Sequence, residues 1–121
     1  MHRILIAEDH TGMRQALRSL FTQYGDWEVC GDVADGKQAV DAAVQLQPDL
    51  VLLDYGMPNK NGIEAASEIK QKMPETPIVI FTLNKTNQLE AKAQEVGVSA
   101  VVGKEEGLTE LLHTVDKEVS N

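Results

Sequence analysis

The 121-residue sequence is short of several things, and each shortage excludes a class of protein. Its single cysteine, Cys30, can close no internal disulfide and build no structural zinc site, which removes the small secreted scaffolds. No apolar run approaches the ~20 residues of a membrane span, and Met1-His2-Arg3 leads directly into Ile4-Leu5-Ile6 with no signal-peptide pattern. Basic residues are scarce: eleven Lys and Arg face nineteen Asp and Glu, a net charge of −8. Phosphate neutralisation supplies most of the affinity of a duplex-binding domain, so direct nucleic-acid binding and contact with an anionic membrane are not expected. A divalent cation or a basic partner suits this surface better. Hydrophobic residues still make up 42%, enough for one cored domain across residues 1–121. A cytoplasmic setting is the expectation.

What is present is an alternation of short apolar runs with amphipathic stretches, five times over. Arg3–Ala7 is a strand that ends in Glu8-Asp9. Met13, Leu17, Leu20 and Tyr24 then fall at helical spacing, with Gly25 placed like the residue just past a helix end. Trp27–Ala34, interrupted by Gly31, suits an edge strand, and Ala39, Val40, Ala43 and Val44 stripe a second helix before Pro48. Asp49–Leu53 is apolar throughout, as a strand buried on both faces would be, and Asp54 ends it. A turn-rich stretch to Gly62 precedes a third helix marked by Ile63, Ala66, Ile69 and Met73. Ile78–Phe81 ends at Thr82, Leu89, Ala93 and Val96 mark a fourth helix, and Ala100–Val102 ends near Lys104. Leu108, Leu111, Leu112, Val115 and Val119 give the last helix. The pattern predicts an α/β fold, a doubly wound five-stranded parallel sheet.

In such a sheet, ligands bind beyond the C-terminal strand ends, where strand order reverses. With strand order 2-1-3-4-5, Glu8, Asp9 and Asp54 converge on one crevice beside Thr82 and Lys104. Two unit charges about 4 Å apart at an effective dielectric near 20 repel by about 4 kcal/mol, so the cluster needs protons or a cation. Oxygen ligands with room for water suit Mg2+. Acids, a lysine and a hydroxyl around a metal point to phosphoryl transfer, with a carboxylate as nucleophile and Asp54 the best placed. Singly, each residue has an ordinary reading. Glu8-Asp9 could favour a helix dipole, Asp54 could open a turn, Thr82 suits any strand and Lys104 any surface. Their joint placement at strand ends is what carries weight.

Over its whole length the chain resembles a response-regulator receiver domain with the flavodoxin- or CheY-like (βα)5 fold. The resemblance rests on Glu8-Asp9, on Leu52-Leu53-Asp54-Tyr55-Gly56-Met57-Pro58, on Asn61-Gly62, on Ile80-Phe81-Thr82 and on Gly103-Lys104. The opening Arg3–His10 and the Lys104-Glu105 pair are most similar to the NarL/FixJ branch. The resemblance implies that Asp54 accepts a phosphoryl group from a sensor histidine kinase or a phosphotransfer protein. It further implies that Asp9, Asp54 and the Gly56 backbone carbonyl ligate Mg2+, and that Glu8 acts through a water. Lys104 and Thr82 then contact the phosphoryl oxygens and shift a two-state equilibrium. It implies a phosphoacceptor without turnover of external substrate, and allows a homodimer through the fourth helix, fifth strand and fifth helix. The C-terminal helix-turn-helix domain usual in that branch, which regulates transcription, has no counterpart in these 121 residues.

Three positions depart from the family pattern. Glu105 stands where proline often follows the lysine, and a cis peptide before a non-proline residue costs about 2.5–4 kcal/mol, so a trans Lys104–Glu105 bond is expected. Val101 replaces the aromatic residue that swings inward in signalling. Leu83, where small residues are common, is expected to slow loading by small phosphodonors. These departures leave an alternative open: a degenerate receiver that binds partners without phosphorylation. A phosphatase with an aspartate nucleophile would need a second acid where Gly56 stands, and a flavin protein would need a phosphate loop where Glu8-Asp9-His10 stand.

Overall fold

The computed structural model describes residues 1–119; the last two residues of the expected domain lie outside the described part. Five strands, β1 (His2–Ala7), β2 (Trp27–Val33), β3 (Leu50–Leu53), β4 (Ile78–Thr82) and β5 (Ala100–Gly103), form one sheet in the order β2-β1-β3-β4-β5. All four pairings are parallel. Five helices, α1 (Thr11–Tyr24), α2 (Gly36–Leu46), α3 (Gly62–Lys72), α4 (Asn87–Val96) and α5 (Leu108–Val119), connect the strands and cover both faces. The expected fold and strand order are both present.

Successive strand residues point to opposite faces, and this alternation divides the core in two. Leu5, Ala7, Val51, Leu53, Ile78 and Ile80 pack with Ala39, Ala43, Ala66, Ile69 and Ala93 from α2, α3 and α4. Ile4, Ile6, Leu50, Leu52, Val79 and Phe81 pack with Leu17, Phe21, Leu111 and Val115 from α1 and α5. The central strands are therefore apolar on both sides because both sides are covered.

Two local expectations change in detail. Tyr24 is 73% exposed, and the buried member of that turn of α1 is Phe21. Phe21 meets Trp27 edge-on, with ring centroids 6.1 Å apart, so the first residue of β2 selects which aromatic turns inward. Gly25 is not a left-handed cap: its backbone is extended (φ −122°), and it is small because a Cβ there would lie 2.6 Å from the Trp27 ring. Gly97, at φ 95°, is the left-handed helix end that Gly25 is not. In edge strand β2 the register slips between Ile4 and Leu5, passing over Cys30 next to Gly31.

Candidate functional site

Backbone pairing sets the positions first. Asp54 N donates to Ala7 O (2.9 Å), which carries the β1–β3 ladder to the residue where both strands end. Glu8 N donates to Val33 O (3.0 Å), fixing the other side of the same loop. Behind Asp54, α3 begins with a capping box in which Asn61 accepts from Glu64 N and Glu64 accepts from Asn61 N, both at 2.9 Å. Gly62 N donates to Tyr55 O (2.8 Å), and a Cβ on Gly62 would come within 2.5 Å of Asp54 O. The absent side chain at Gly62 lets α3 back directly onto the strand end.

The sequence-derived set comes together. Glu8, Asp9 and Asp54 each place a carboxylate oxygen within 4.8 Å of the others. Glu8 is buried, Asp54 half-buried and Asp9 exposed, so the cluster runs from interior to solvent. They line an open cleft of about 800 Å³ together with Gly56, Thr82, Leu83, Lys104 and Glu105. Glu8 and Asp9 precede α1 and are not its first turn; the N-cap is His10, whose Nδ1 accepts from Met13 N (3.1 Å).

Lys104 reaches back across the sheet to these acids. Its Nζ lies 2.9 Å from Glu8 Oε1 and 3.7 Å from Asp54 Oδ1, above the Phe81 ring at 5.9 Å from its centroid. The tighter pairing is thus with Glu8, not with Asp54. Glu8 Oε2 accepts from His10 N (3.1 Å), so both oxygens of this buried carboxylate are engaged. Burial, and then the negative charge of Glu8, raise the Asp54 pKa to about 6, against the lowering effect of Lys104.

Thr82 is buried, and its Oγ1 accepts from Asn84 N (3.3 Å). Val101, half-buried, packs with the core shared by α2, α3 and α4. The Lys104–Glu105 bond is trans, as is every peptide bond among the described residues. Residues 104–106 form a single 3-10 turn in which the Glu106 carboxylate accepts from Gly103 N (2.7 Å) and pairs with Lys85 Nζ (3.1 Å). Leu83 is 72% exposed at the cleft mouth.

Sequence reasoning missed His10 as a cap, Glu106 as the brace of the lysine loop, and Arg14. Arg14 Nη1 donates to Glu8 O at 2.8 Å. A cap at His10 is signalled by its place just before an amphipathic run, and the Glu106 contact by its three-residue spacing from Gly103, whereas the Arg14 contacts join segments with no local pattern between them.

Residues 4–116 match the response regulator receiver domain family. This chain belongs to that family. Among its relatives is the transcriptional regulatory protein YdfI of Bacillus subtilis, 34% identical over 96% of this chain and 54% of that protein. Another is PdtaR of Mycobacterium tuberculosis, 36% identical over 98% of this chain and 57% of that protein. A LuxR-family DNA-binding response regulator from Staphylococcus aureus superposes with a TM-score of 0.92 at 33% identity, covering 97% of this chain and 98% of the solved one. The receiver domain spans about half the length of the two curated relatives. No helix among its described residues is long and apolar enough to cross a membrane.

Proposed function

We propose that this receiver domain takes a phosphoryl group onto Asp54 in an Mg2+-dependent reaction, and that the modification switches a protein-binding surface. The observation that carries the reading is the convergence of Glu8, Asp9 and Asp54 within 4.8 Å, with Lys104 Nζ 3.7 Å from Asp54. An all-carboxylate donor set open to solvent fits a hard cation. Both Glu8 oxygens are already engaged, which supports Asp9, Asp54 and the backbone carbonyl of the exposed residue Gly56 as direct ligands and Glu8 as a ligand through water. Bound there, Mg2+ would offset the mutual repulsion of the acids and the charge of the phosphoryl oxygens.

The remaining chemistry belongs to the side chains. An Asp54 carboxylate oxygen attacks phosphorus; the P–N bond to a phosphohistidine breaks, the P–O bond of an acyl phosphate forms, and the imidazole departs with its electron pair. The donor is a sensor histidine kinase or a phosphotransfer protein. Lys104, already between Glu8 and Asp54, supplies a cation for one phosphoryl oxygen. Thr82 accepts from Asn84 N, which leaves its own O–H to donate to another. Both contacts exist only with the phosphoryl group in place, which is the differential interaction a switch requires. Val101 cannot perform an aromatic swing, so the readout runs through the Thr82 and Lys104 loops toward α4, β5 and α5, the surface also proposed for a homodimer. A transcription-regulating output from a further domain is part of the same proposal.

Beryllofluoride with Mg2+, which mimics an acyl phosphate, separates this reading from a phosphorylation-independent binding module. The expected result is saturable, Mg2+-dependent binding that perturbs the Thr82 and Lys104 amide resonances. No binding would favour the module. Leu83→Ala is expected to load several-fold faster from acetyl phosphate, because it opens the cleft mouth; equal loading rates would remove Leu83 from the account.

A further inference from the structure

Arg14 belongs to α1, yet its guanidinium reaches the joint between the two acids of β1. Nη1 donates to the Glu8 carbonyl at 2.8 Å, while Nε pairs with Asp32 Oδ1 at 3.2 Å. Asp32 lies near the end of β2 and is held from its other oxygen by Arg18 Nη1. The Arg14 side chain is 20% exposed and its two contacts use separate nitrogens of one rigid plane. We infer that Arg14 is a positioning residue for the metal-binding acids: anchored on Asp32, it fixes the Glu8–Asp9 peptide and so the direction in which the Asp9 carboxylate leaves the loop.

The inference rests on the proposed Mg2+ reading of the acid cluster, and it adds a residue that touches none of the reacting atoms. The loop needs such an anchor. Glu8 N is tied to Val33 O and His10 N to Glu8 Oε2, but among the described residues the carbonyl between the two carboxylates accepts only from Arg14. Charge and geometry make opposite predictions here, which gives the test its power. Arg14 is a cation near a cation site; removing it, and leaving Asp32 less neutralised, should tighten Mg2+ binding on Coulomb grounds alone. Because Asp32 already neutralises Arg14 at 3.2 Å, that effect is small, and loss of the fixed carbonyl should dominate and weaken binding. Lysine is a poor substitute, since one ammonium on a flexible stem cannot serve two acceptors that a guanidinium fork spans.

Calorimetric Mg2+ titration of wild type, Arg14→Gln, Arg14→Lys and Arg18→Ala tests this, with the thermal midpoint of each metal-free variant measured alongside. Arg18→Ala loosens the same α1–β2 bridge without touching the Glu8 carbonyl, and so reports a merely structural role. The expected result is three- to tenfold weaker Mg2+ binding in Arg14→Gln, a smaller weakening in Arg14→Lys, and wild-type affinity in Arg18→Ala. If Arg14→Gln does not fold, the comparison of Arg14→Lys with Arg18→Ala decides. Unchanged or tighter binding in the folded Arg14 variants, or an equal loss in Arg18→Ala, overturns the inference while wild-type Mg2+ binding leaves the acid site standing. A wild type that binds no Mg2+ overturns both.

Discussion

Lys104→Ala is expected to destabilise the metal-free protein by about 3–5 kcal/mol, the cost of leaving one partner of a buried ion pair charged and alone. Glu8 is the reason. Its side chain is 2% exposed, and the Lys104 ammonium 2.9 Å away is the cation that balances it. Removing the lysine also leaves Glu8 facing Asp9 and Asp54 with no positive charge between them. Two consequences distinguish this from a general loss of packing. Glu8→Gln in the Lys104→Ala background should recover much of the loss, because a neutral amide needs no counter-charge. Millimolar Mg2+ should recover stability more in Lys104→Ala than in wild type. Urea unfolding of the four proteins of this cycle, with and without Mg2+, measures both; a Lys104→Ala loss that neither the glutamine nor the metal reduces would show that the ion pair is not what the lysine provides.

Asp54→Asn should stabilise the metal-free protein at neutral pH while abolishing phosphoryl acceptance. Asp54 is held at about 6, above its ordinary value of 3.8, by burial and then by Glu8. A carboxyl raised on folding costs nothing below its unfolded pKa, and its cost grows as pH rises through the window between the two values and is complete above the folded one. In a sealed site the full shift would amount to about 3 kcal/mol; solvent screening in this open cleft brings it to about 1–2 kcal/mol. The gain from Asp54→Asn should therefore grow by that amount between pH 3.8 and pH 6 and hold steady above. Comparing the two proteins at each pH cancels carboxylates remote from the site, such as Asp35 and Glu106, whose lowered values pull the absolute stability the other way. Denaturation curves across this range check it, and a gain that is flat or falls with pH would contradict the raised Asp54 value.

The fold was legible because its central strands carry apolar residues on both faces, and a run such as Leu50–Leu53 has few other homes than a covered parallel sheet. The site was legible for a related reason. Strand ends in this fold share one edge, so the residues that stop each apolar run are the residues that meet. What stayed hidden depends on distance in the chain. Phe21 and Tyr24 both satisfy helical spacing after Leu17, and only the Trp27 ring selects between them. Lys104 could be placed at the crevice, but its preference for Glu8 over Asp54 is a matter of ångströms set by the turn at 104–106. Arg14 gave no signal because its two acceptors, a backbone carbonyl and a β2 carboxylate, belong to different segments.

The central claim is that one aspartate in a magnesium-ready acid cluster takes the phosphoryl group. Intact-protein mass spectrometry after incubation with Mg2+ and acetyl phosphate, or with a phosphorylated histidine domain, tests it most directly on wild type and Asp54→Asn. The account predicts the mass of one added phosphoryl group on wild type, its disappearance when the metal is chelated, and no addition to Asp54→Asn. Equal labelling of both proteins, or labelling that survives chelation unchanged, would contradict it.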